Sequence, residues 1–90
     1  MKLTCSNITL DEIGSIEKTG PQAIDQGDAV FDFSEVKKAD SAMLALLLQW
    51  MRYAQSKGLT PQIKNLPEGM WSLARLYGVR ELLRPYCQKA

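Results

Sequence analysis

The sequence contains no histidine. That absence removes the most common general base, the most common metal-binding imidazole and the partner of a Ser-His nucleophile pair. Cysteine is nearly as scarce. Cys5 and Cys87 stand at opposite ends and form no CxxC motif. A reduced, cytoplasmic protein is the simplest reading of that usage, with a Cys5–Cys87 disulfide as the less favoured alternative. The six glycines are scattered and build neither a GxGxxG fingerprint nor a phosphate-binding P-loop. Charge of one sign is also missing. Eleven Lys and Arg face ten Asp and Glu, and a net charge of +1 gives no basic field for nucleic acid. The longest apolar run, Ala42 to Leu48, falls far short of the roughly 20 residues a membrane helix needs. Met1-Lys2-Leu3 leads straight into mixed polar sequence, so no secretory signal is expected. The usual parts of an enzyme are absent, and neither a catalytic residue, a cofactor nor a metal is expected.

What is present suits one small folded unit. Ninety residues with 46 % apolar content supply one real core, so a single domain over residues 1–90 is expected. The pattern predicts a strand around Lys2–Ser6 with a turn at Asn7. Asp11 then opens a short helix through Leu10, Ile13 and Ile16, which Gly20-Pro21 ends or breaks. Residues 22–28 read as a helical turn and a loop. Ala29 to Phe33 is the clearest strand, and Ser34 to Lys38 a loop. Asp40 or Ser41 caps a helix that runs to about Lys57, with Gly58 just beyond it. Thr60 to Leu66 reads as a strand, Pro67 as a helix start, and Met70 to Tyr77 as a helix that Gly78 ends. This β-α-β-α-β-α order predicts a small α/β fold, a mostly parallel sheet with helices packed against it.

The central helix carries more apolar surface than one buried face requires. At 100° per residue, Leu44, Leu47, Leu48 and Met51 share one arc, the natural sheet-facing stripe. Ala42, Leu46, Gln49 and Tyr53 lie opposite, and Met43 and Trp50 share a flank. Two readings of the surplus stand. Either the fold wraps more of this helix than two layers would, or Met43, Leu46, Trp50 and Tyr53 form an exposed patch for a partner. A Met or Trp on a helix flank is more often core edge, which supports the first, while Trp and Tyr are preferred interface anchors, which supports the second.

Phe31-Asp32-Phe33-Ser34-x-Val36, followed by Ala39-Asp40-Ser41-x-x-Leu44-x-Leu46-Leu47-Leu48, resembles the signature of STAS domains. Leu44 to Leu48, the Ala54-x-x-x-Gly58 helix end and Ser72-Leu73-Ala74-Arg75-Leu76-Tyr77 are most similar to the MlaB-like branch of that family. Met43 departs from the Gly or Ala usual there. Met1 to Ser6 is also too short for the additional leading strand that many STAS domains have together with the next one. The resemblance implies a non-catalytic accessory subunit of an ABC-type phospholipid transporter that maintains outer-membrane lipid asymmetry in a Gram-negative cell. It would sit in the cytoplasm, at the inner membrane only through the complex. Its partner would be the ATPase subunit, and indirectly the permease and lipid-binding subunits, with no nucleic acid and no insertion into the bilayer. The implied contact region is Asp40, Ser41, Ala42 and Met43, with Leu46, Trp50 and Tyr53 as outward neighbours. The alternative within the family is an anti-sigma-factor antagonist switched by phosphorylation at Ser41. For Asp40 and Ser41, plain helix capping is the competing role. Lys37 and Lys38 adjoin the site and could steer an acidic partner.

Overall fold

The computed structural model describes residues 1–4 and 6–88. The chain runs β1 (Asn7–Ile8), α1 (Leu10–Ile16), α2 (Thr19–Asp25), β2 (Val30–Asp32), β3 (Lys38–Ala39), α3 (Ser41–Ser56), β4 (Gln62–Lys64), α4 (Glu68–Leu76), α5 (Arg80–Leu83), a 3-10 turn (Arg84–Tyr86) and β5 (Cys87–Gln88). β2, β4 and β5 form a parallel sheet in that order, with Phe31 opposite Ile63 and Ile63 opposite Cys87. β1 and β3 form a second, two-stranded parallel pair. The mostly parallel α/β arrangement expected from the alternation is the one found.

Two expectations for the first third are corrected. Lys2–Ser6 is not one strand. Met1 to Leu3 lies along the free edge of β2, where Asp32 donates its amide to the Met1 carbonyl at 2.9 Å and Leu3 donates to the Asp32 carbonyl at 3.0 Å. Asn7, read as a turn, instead begins β1 against β3. Met1 to Leu3 thus supplies the leading extended piece, and β1 follows at Asn7.

Gly20-Pro21 does not end a helix but lies in the first turn of α2. There the missing proline N–H costs nothing, since first-turn amides have no partner within the helix. α1 begins at Leu10, one residue earlier than expected, with Thr9 as its N-cap. The Glu12 carboxylate accepts from the Thr9 amide at 3.2 Å and from its hydroxyl, the reciprocal half of a capping box.

Burial alternates along the strands. Phe31 and Ile63 are buried, while Val30, Asp32 and Lys64 are half-exposed and Gln62 is exposed. One sheet face therefore carries the core, and the helices cover that face. Leu44, Leu47 and Met51 of α3 are buried as the periodicity requires, while Leu48 is only partly covered. Past the helix, Gly58 takes φ +78°, the left-handed conformation that ends helices and that glycine adopts without penalty.

Candidate partner-binding site

The start of α3 is held by four hydrogen bonds. Asp40 is extended (φ −109°, ψ −172°) and its Oδ1 accepts the Ala42 amide at 3.0 Å. Upstream, the Asp40 amide donates to the Ile8 carbonyl of β1 at 3.2 Å, so the cap is anchored to the β1–β3 pair. Lys37 and Lys38 both donate their amides to the Ser6 carbonyl, at 2.7 and 2.9 Å, and their side chains are exposed. Asp40 is thus the cap. Ser41, the first helical residue, is exposed, and among the described residues its hydroxyl has no hydrogen-bond partner. The hydroxyl lies where the first amides of a helix concentrate positive potential.

The β2 end of the motif is pinned as well. Asp32 Oδ1 accepts the Ser34 amide at 2.9 Å and the Asn65 side-chain amide at 3.2 Å. These hydrogen bonds, the Ser34 amide first, hold the Asp32 carboxyl below its ordinary range. They tie the turn after β2 to the turn after β4.

The exposed apolar patch expected on α3 does not exist. Met43, Leu46 and Trp50 are 0 %, 6 % and 1 % exposed. α1 and α2 both pack against α3, and these three residues belong to the same buried core as the sheet residues. Trp50 shows why. Its ring centroid lies 5.6 Å from that of Phe31, and its indole Nε1 donates to the Glu17 carbonyl at 3.3 Å. On its other side a Cβ at Gly20 would fall 2.3 Å from the indole. Tyr53 is half-buried. Its hydroxyl donates to Asp25, and that hydrogen bond pushes the phenol above its ordinary value, while the Lys57 ammonium sits 5.3 Å from the ring centre. It stands about 18 Å along the helix from Ser41. Of the seven expected contact residues, the structure brings Asp40, Ser41 and the half-buried Ala42 together at the surface. It assigns Met43, Leu46 and Trp50 to the interior.

The true outer stripe of α3 is Ser41, Ala45, Gln49, Arg52 and Ser56, all exposed. Gln49 was read on the outer side of the helix, but Ala45 and Arg52 were missed by reasoning from hydrophobicity. The signal was present in the small and polar residues recurring every three or four positions.

Nothing in this arrangement points to covalent chemistry. Among the described residues no cluster of acidic or thiol side chains could hold a metal. Burial pushes the Cys87 thiol up to about 11, so at neutral pH it stays protonated. Cys87 is free, and Cys5 lies outside the described residues. No helix among the described residues is long and apolar enough to cross a membrane.

The fold is thus a small parallel sheet packed with helices, with an exposed hydroxyl at the start of the central helix. The model of the family described as "Mlab, STAS domain" matches residues 5–85, and the chain belongs to that family. STAS domains act as accessory or regulatory modules through contacts with other proteins. Among solved structures, the fold is similar to the Bacillus cell fate determinant SpoIIAA in its phosphorylated form, with a TM-score of 0.69 and 20 % identity. That likeness covers 99 % of this chain and 78 % of SpoIIAA. No characterised protein matches at a significant level by sequence.

Proposed function

We propose that this domain binds the ATPase subunit of an ABC-type phospholipid transporter and supports its assembly and activity. The permease and lipid-binding subunits are met only through that ATPase. The domain works in the cytoplasm, against the inner membrane of a Gram-negative cell, in a system that keeps the outer membrane asymmetric. The MlaB-type family match supports this reading. The observation that carries it is Ser41. Asp40 alone performs the capping, which leaves the Ser41 hydroxyl exposed at the head of a continuous polar stripe. That stripe, not the apolar flank, is the contact surface: Asp40, Ser41 and Ala42 at its head, Ala45, Gln49 and Arg52 along it.

The test is titration of the ATPase subunit with the wild-type domain and with Ser41→Glu and Ala45→Arg. Both positions are exposed, so the fold should survive, and each variant should bind at least about tenfold more weakly. Wild-type affinity in both would remove the stripe from the interface.

A second reading draws on the likeness to phosphorylated SpoIIAA: an anti-sigma-factor antagonist switched at Ser41. A phosphate would add about −1.5 to −2 charges at the helix start and could eject a partner. Genomic neighbourhood separates the two. Genes for an ABC ATPase, a permease and a lipid-binding subunit favour the first reading, and a gene for an anti-sigma kinase the second.

A further inference from the structure

The chain's near-neutral charge conceals an uneven distribution. Three of its four arginines, Arg75, Arg80 and Arg84, line a single cleft of about 390 Å³ between α4 and α5, together with Trp71, Ser72 and Glu68. Glu68, Trp71, Ser72 and Arg75 recur at three- and four-residue spacing, which places them on one face of α4, opposite the buried Met70 and Ala74. Arg80 and Arg84 come from α5 and the turn after it. Arg84 is held at 3.6 Å by Glu81, an exposed pair. Among the described residues, Arg75 and Arg80 have no ion pair. The half-buried Trp71 puts a flat aromatic wall beside them.

We propose that this cleft binds an acidic peptide segment of a partner protein: two carboxylates pair with Arg75 and Arg80, and an apolar side chain between them lies on Trp71. Guanidinium favours this occupant because its planar fork pairs with carboxylate through two parallel hydrogen bonds. Shape favours it too. A cleft with an aromatic wall receives side chains, whereas a bilayer surface would meet cations on a convex face. Glu68 on the rim repels any carboxylate placed outside the two arginines and so sets the register. Exposed Leu76, one turn along α4 from Ser72, extends the contact on its apolar side. This site stands apart from the α3 stripe and does not depend on it.

The experiment uses a short blocked peptide in which two glutamates flank a phenylalanine, labelled for anisotropy and titrated with the intact domain at low salt. Saturable binding is expected, with none for the same peptide carrying lysines in place of glutamates. Arg75→Glu and Arg80→Glu should each weaken binding at least about tenfold. Lys37→Glu and Ser41→Glu should leave it unchanged, which separates a failure here from a failure of the ATPase reading. Both arginines are exposed, and Arg75→Gln and Arg80→Gln give the same answer without reversing charge. Three results would overturn the proposal: no saturable binding, equal binding of the lysine peptide, or arginine variants that bind as wild type. If the peptide fails while phosphatidylglycerol vesicles bind through the same arginines, the cleft belongs to a membrane surface instead.

Discussion

Two glycines on neighbouring helices should respond oppositely to the same substitution. Gly14 is exposed in the middle of α1, and a Cβ there would meet nothing within 4 Å. Gly14→Ala should therefore stabilise the domain by about 0.5–1 kcal/mol, the usual helix preference for alanine. Gly20 also lies in a helix, so the same preference applies. Against it stands a Cβ placed 2.3 Å from the Trp50 ring. Overpacking of that kind costs about 1–3 kcal/mol or more, and it wins. Urea unfolding of both variants checks the signs, and a stabilised Gly20→Ala would show that Trp50 can retreat. Trp50→Ala should cost about 3–5 kcal/mol through the cavity it leaves. It is therefore a stability variant and not a probe of the partner surface.

At the scale of elements, the turns after β2 and β4 are joined through Asp32. Its carboxyl is held below the ordinary range, so folding favours the ionised form. The stabilisation is present above the unfolded value of 3.8 and is lost as the pH falls through the lower folded value. Asp32→Asn should remove that part of the acid sensitivity, seen as a smaller fall in melting temperature between about pH 5 and pH 2. If wild type and variant lose stability in parallel, Asp32 is not a contributor. The strand and the α3 core stripe around this residue were legible because periodicity reports burial directly: Phe31, Leu44, Leu47 and Met51 are all interior. α2 was not. Gly20-Pro21 reads locally as a breaker, and only the approach of Trp50 from a helix 30 residues away explains the glycine. For the same reason the candidate site was half legible. Asp40 and Ser41 follow from local capping rules, but whether Met43, Leu46 and Trp50 face solvent depended on where α1 and α2 would dock. β5 was lost for a related reason, since a two-residue strand carries no period and is defined only by its partner β4.

For the whole molecule, the decisive quantity is the small reserve of stability in a 90-residue domain. At the usual 0.05–0.15 kcal/mol per residue, that reserve is about 5–13 kcal/mol. A partner that binds only the folded state adds to it by mass action, about 2.7 kcal/mol when its free concentration is 100 times its Kd. In a domain this size each kcal/mol moves the melting temperature by about 4–8 °C. Saturating ATPase subunit should therefore raise the melting transition of the domain by about 10–20 °C. Ser41→Glu should melt at the same temperature as wild type when alone, because its side chain is exposed and the cap is Asp40. With the same concentration of ATPase its rise should be smaller by several degrees, since a tenfold weaker Kd removes about 1.4 kcal/mol of the linkage. Differential scanning calorimetry of the four samples reads both effects. A variant that melts lower on its own would locate the Ser41 effect in the fold, and equal shifts for both proteins would place the ATPase contact elsewhere on the surface.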